Sequence, residues 1–126
     1  MKTFLFITAI LLAVASAEAQ TPTAILVPYD TAKFSWTWTQ GSGATAGTAT
    51  EFRVKCGAVS KIYTLTKVIP DPAARTIPVS QVITAVGKYF CAMTAANQYG
   101  ESGASNEVFF DAGRVPADAT GFSVGN

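Results

Sequence analysis

The chain holds no histidine among its 126 residues. That removes the commonest general base and the commonest metal ligand. It holds only two cysteines, Cys56 and Cys91. Two thiolates alone do not make a tetrahedral zinc site. Their spacing is not Cys-x-x-Cys, so the usual redox motif is missing too. The net charge is +1 and like charges do not cluster. Phosphate binding needs clustered Lys or Arg, which argues against nucleic acid as the main partner. Gly41, Gly43 and Gly47 are not followed by a helix or by a Lys-Ser/Thr pair, so they do not build a phosphate-cradling loop. Asp30, Glu51, Asp71, Glu101, Glu107, Asp111 and Asp118 are scattered over loops and outward strand faces. No spacing brings two of them together as a paired-carboxylate hydrolase requires. These absences leave no catalytic, metal or cofactor site to predict, and the expectation is a protein that is not an enzyme.

The first 19 residues read as a targeting segment. Lys2 supplies a positive start, residues 4–14 are apolar, and Ala17-Glu18-Ala19 fits the small-x-small cleavage rule. Ala15-Ser16-Ala17 is a second possible site. The apolar run is shorter than the roughly 20 residues a bilayer span takes. A cleaved signal peptide over 1–19 is therefore expected, with a mature start at Gln20 and an exported protein, whether secreted, periplasmic or surface-associated. No later stretch is apolar enough to span a membrane.

The rest reads as short strands cut by turn clusters. Residues 24–27 form a first strand. In residues 32–39, Phe34, Trp36 and Trp38 point one way, and Lys33, Ser35, Thr37 and Thr39 the other. Residues 40–50 are rich in Gly, Ser, Ala and Thr and read as a loop. Residues 51–56 alternate again, with Phe52, Val54 and Cys56 inward. Strands are expected over 62–69, 76–83, 89–96 and 106–111. Seven short strands without a helical period argue an all-β, antiparallel sandwich over residues 20–112. Residues 113–126 form a linker-like tail.

The most informative stretch is Tyr89-x-Cys91-x-Met93-x-Ala95-x-Asn97-x-x-Gly100-x-Ser102. It resembles the F strand and F–G loop of fibronectin type III domains. Phe34-Ser35-Trp36 is similar to that family's second strand, Phe52-Arg53-Val54 to its third, and Ile83 stands six residues before Tyr89. The resemblance covers about residues 22–112. It implies a seven-stranded immunoglobulin-like sandwich in which Tyr89 packs its ring and bonds its hydroxyl to nearby backbone. An immunoglobulin domain is the nearest competitor, but that family orders its core residues Cys, Trp, Cys. Here both tryptophans precede Cys56. In the fibronectin type III topology the strands carrying Cys56 and Cys91 are neighbours, and parity puts both sulfurs on the core face. Two cysteines in an exported chain form a disulfide as a rule. The alternative is two buried free thiols.

Fold does not fix function. Modules of this kind serve as spacers, adhesion surfaces and binding scaffolds, so the resemblance implies protein–protein binding or self-association. A carbohydrate-binding module is the alternative. Trp36 and Trp38 share parity with Phe34, which favours core packing over a sugar platform. Tyr99, in the F–G loop, is a candidate contact. Parity sends Phe90 and Phe109 out on neighbouring strands, where together they begin a surface patch. Phe122 and Val124 alternate in the tail. Three readings stay open for it: pairing on the Phe90/Phe109 face, strand addition to a sheet edge of another copy, or a frayed end.

Overall fold

The computed structural model describes residues 22–39 and 47–126. The expected signal peptide and most of the 40–50 loop lie outside the described residues. Among the described residues eight strands occur, named in chain order: β1 (Ile25–Pro28), β2 (Lys33–Ser35), β3 (Glu51–Gly57), β4 (Leu65–Ile69), β5 (Thr76–Pro78), β6 (Gly87–Asn97), β7 (Gly100–Glu101) and β8 (Val108–Gly113). The larger sheet runs β1-β8-β6-β3-β4, with the short β7 also on β6, and the smaller sheet is β2-β5.

The all-β expectation holds, but the antiparallel seven-strand arrangement does not. β1 lies parallel to β8, with Ile25 opposite Phe110 and Val27 opposite Ala112. The larger sheet is therefore mixed, and β2 is left with β5 as its partner. Parity could not reveal this, because an edge strand shows the same alternation beside either neighbour. What holds β1 there is its exit. The Tyr29 backbone N–H donates to the Gly113 carbonyl at 2.7 Å, and the Tyr29 hydroxyl donates to the buried Ile83 carbonyl at 3.0 Å.

The 76–83 strand is also shorter than expected. Pro78 lacks an N–H and the chain turns into a 3₁₀ helix at Val79–Gln81. Val79 still donates to Ala32, and Ile83 folds back onto the Val79 carbonyl. The expected 62–69 strand starts at Leu65. Before it, Val59 and Ile62 bridge across a tight turn with Lys61 at φ 67°. Gly57 makes that turn possible. A Cβ there would sit 2.0 Å from the Ile62 carbonyl oxygen.

The alternating residues meet between the sheets as the sequence requires. Phe52, Val54 and Cys56 of β3, Cys91 of β6, Phe110 and Ala112 of β8, and Ile77 of β5 form the core. Phe34 packs edge-on against Phe110 at 5.5 Å, and both Trp36 and Trp38 close on Phe52, at 5.5 and 5.9 Å. Burying a side chain such as Phe52 stabilises the fold by about 2–3 kcal/mol. Cys56 and Cys91 stand directly opposite on β3 and β6 and form a disulfide, with Cα atoms 4.1 Å apart. Tyr89 stacks over Phe110, and its hydroxyl donates to the Ala85 carbonyl at 2.9 Å. No helix among the described residues is long and apolar enough to cross a membrane.

Candidate binding surfaces

The outer face of the larger sheet carries side chains of the parity opposite to the core. Phe90 and Phe109 are register partners on β6 and β8. Their rings stack parallel, with centroids 4.1 Å apart and planes within 1°. Each ring thus covers one face of the other. Leu26, added by β1 on the same face, is 79% exposed. Lys88 and Asp111 are the next register pair and place opposite charges beside the rings. With residues 22–24 these side chains line a shallow groove of about 540 Å³. An apolar centre with a charged rim is the ordinary layout of a protein-contact surface.

Toward the other end of β6 the same face is polar. Glu101 on β7 accepts a hydrogen bond from Thr94 Oγ1 at 2.6 Å and pairs with Lys55 at 2.7 Å and Arg53 at 3.3 Å. The Lys55 ammonium, then the Thr94 hydroxyl, pull its pKa down to about 2. Arg53 also bonds Glu51 at 2.6 Å, and that bond holds its guanidinium more firmly charged than usual. At the start of β8, Glu107 accepts from Ser60 Oγ, the Tyr63 hydroxyl and the Lys61 backbone N–H. The Ser60 and Tyr63 bonds lower its pKa, and the bond to Glu107 raises that of Tyr63 to about 12. Each carboxylate is held ionised by three donors. Glu101 ties β7 to β3 and β6, and Glu107 ties the β3–β4 connection to the start of β8. Among the described residues no group of three or more acidic or Cys side chains is placed to hold a metal ion.

A second surface opens between the sheets. Where a third strand could flank β2, a cleft of about 520 Å³ remains. Phe34, Trp36 and Trp38 form one wall, and Met93 and Val108 stand on the other. The far rim is segment 102–106, which runs along β6. Ser102 and Ser105 each donate a backbone N–H to β6, at 2.8 Å, and accept a β6 N–H on their hydroxyls, at 2.9 and 3.0 Å. β6 is thereby satisfied, whereas the outer edge of β2 has no partner among the described residues. The Trp36 Nε1 is buried and has no acceptor among the described residues.

The residues singled out from the sequence do not gather in one place. Phe90 and Phe109 meet as expected. Tyr99 is 87% exposed in the β6–β7 turn, where its backbone N–H donates to Asn97 Oδ1. It stands nine residues beyond Phe90, past the far end of β6, about 25 Å or more away at the rise of a strand. Phe122 is 98% exposed and does not lie on the Phe90/Phe109 face of its own chain. Trp36 and Trp38 pack on Phe52 and are not a free sugar platform. The sequence reading missed the roles of Tyr29 and of two arginines. Arg75 lies over the rings of Phe52 and Trp38, at 5.4 and 5.9 Å, and Arg114 lies 4.9 Å over Tyr29. A lone arginine in a loop carries no pattern that could have shown this. The chain matches no family model, no curated protein and no solved structure.

Proposed function

We propose that this chain is an exported, non-enzymatic β-sandwich module that binds another protein through the outer face of its larger sheet. The observation that carries the reading is the stacked Phe90–Phe109 pair, widened by Leu26 and flanked by Lys88 and Asp111. The Cys56–Cys91 disulfide supports export, because such bonds persist in oxidising compartments. The leader-like residues 1–19 support it independently. The lowered pKa values of Glu101 and Glu107, each held by three donors, favour a role without catalysis. A relationship to fibronectin type III domains belongs to the same reading. The Tyr89 hydroxyl bonded to the Ala85 carbonyl and the core-facing Trp36 favour it, and the parallel β1 departs from it.

The carbohydrate alternative asks for aromatic faces turned to solvent. Phe90 and Phe109 cover each other, and the two tryptophans pack inward, so the protein reading is preferred. The test pairs the intact chain with a Phe90→Ser/Phe109→Ser variant of equal melting temperature. Each is immobilised and offered exported proteins from the source organism, and each is applied to a glycan array. Proteins retained by the first and lost by the second are expected. Identical retained sets, or a glycan bound equally by both, would overturn the reading.

A further inference from the structure

Among the described residues the smaller sheet has two strands, and β2 has β5 as its one neighbour. In the β2–β5 ladder, Ala32 accepts from Val79 and Trp36 donates to Arg75 at 3.0 Å. Two-residue periodicity then turns the backbone groups of Lys33, Ser35 and Thr37 away from β5. Among the described residues none of these groups has a partner. The edge borders the 520 Å³ cleft, whose lining carries no charged side chain. The buried Trp36 Nε1 in this wall is a donor without an acceptor. A backbone edge without a partner among the described residues, an uncharged cleft walled by Phe34, Trp36 and Trp38, and an orphan donor are together what an added strand would satisfy.

The same molecule carries an unpartnered segment whose sequence alternates as a strand does, although it forms no strand in its own chain. Beyond β8, residues 114–126 are exposed throughout. Phe122-Ser123-Val124 alternates apolar and polar, and Phe122 and Val124 are 98% and 93% exposed. Residues 119–126 are uncharged, as the cleft is. The tail leaves β8 at Gly113, whereas the cleft touches β8 at its opposite end, Val108. Five residues of strand separate the two points, about 17 Å. Phe122 and Val124 are almost fully exposed, so the segment does not occupy the cleft of its own chain.

We propose that the segment around Phe122–Val124 of one copy adds as a strand to the β2 edge of a second copy, seating Phe122 and Val124 in the cleft between the sheets. Donor and acceptor are different surfaces, so the contact is heterologous. Reciprocal exchange closes a dimer, and one-way donation builds a chain of copies. The proposal deepens the binding-module reading by naming a second copy as a partner. It leaves the Phe90–Phe109 face free, so the two are tested separately.

The test is sedimentation velocity over a hundredfold concentration range, with hydrogen exchange on the same samples. The chain is compared with two variants. Phe122→Ser/Val124→Ser alters only exposed side chains and leaves the domain's packing intact. Ser35→Pro removes an outward N–H of β2 without touching a bond to β5. The expected result is concentration-dependent dimers or longer oligomers, protected amides at residues 122–124, and loss of both in either variant. A melting curve checks that the Ser35→Pro protein is folded, and if it is not, the tail variant alone decides. A monomer with freely exchanging tail amides overturns the proposal. A monomer with protected amides overturns it too, because the tail then closes on its own chain. Self-association that survives Phe122→Ser/Val124→Ser also refutes it. Failure here with Phe90/Phe109-dependent capture intact would remove this contact alone.

Discussion

The Cys56–Cys91 bond is expected to supply a large share of this domain's stability. The two sulfurs close a separation of 35 residues between β3 and β6. In the chain-entropy account, a loop of that size removes about 13 cal/mol/K from the unfolded ensemble, or about 4 kcal/mol at 25 °C. Domains of this size are stable by about 5–15 kcal/mol, so the loss is a substantial fraction. It corresponds to a fall in melting temperature of roughly 15–30 °C. The assay separates two effects. Reduction with dithiothreitol breaks the bond but leaves both thiols filling the core. Cys56→Ala/Cys91→Ala breaks the bond and removes both sulfurs, which are fully buried. Urea unfolding of the oxidised, reduced and doubly substituted chains should give that order of stability. The first step should be near 4 kcal/mol and the second smaller. A first step below about 1 kcal/mol would refute the reasoning, since the pair would then act only as packed side chains.

Two further outcomes follow from the hydrogen-bond geometry. The Glu101 pKa is about 2 in the folded chain, against an ordinary 4.5. A lowered folded value means that its stabilising contribution is complete above about pH 4.5 and fades as the pH falls toward 2. Glu107 is lowered in the same direction and adds to the same limb. Urea midpoints between pH 2 and 7 should therefore fall on the acid side, less steeply in Glu101→Gln and least in Glu101→Gln/Glu107→Gln. An unchanged acid limb in the double variant would count against this account. Tyr29→Phe leaves the buried Ile83 carbonyl unpaired and should cost about 1–3 kcal/mol. Tyr89→Phe frees the Ala85 carbonyl, which water reaches, and should stay within about 0.5 kcal/mol. Thermal melts giving the opposite order would make Tyr89 the anchor.

What the sequence could show follows from what side-chain parity encodes. Alternation in Phe34-x-Trp36-x-Trp38 and Phe52-x-Val54-x-Cys56 specifies which face is buried, and those residues meet in the core. Applied to β6 and β8, parity also brings Phe90 and Phe109 to one outer face. Parity is silent on which strand an edge strand chooses, so the parallel pairing of β1 was not legible. It is silent too on where regular hydrogen bonding stops. β2 ends at Ser35 although the in-out pattern continues through Trp38. The roles of Glu101 and Glu107 depend on partners 46 or more residues away in the case of Lys55, Lys61 and Ser60, and no local pattern announces those.

The position of β1 links the two surfaces. Paired with β8, it extends the larger sheet and sets Leu26 beside Phe90 and Phe109, so the outer patch gains width. The same choice leaves β2 without a second neighbour among the described residues, so the smaller sheet keeps an edge open there, with the cleft beside it. Had β1 paired with β2, the edge would be closed and the patch narrower. The contacts that hold β1 in place therefore shape both of the surfaces proposed to bind. The Tyr29 hydroxyl reaches the Ile83 carbonyl, its N–H reaches Gly113, and the Arg114 guanidinium covers its ring. Arg114 is also the first residue of the exposed tail. One tyrosine thus fixes the strand that shapes both surfaces and clasps the base of the segment proposed to join one copy to the next.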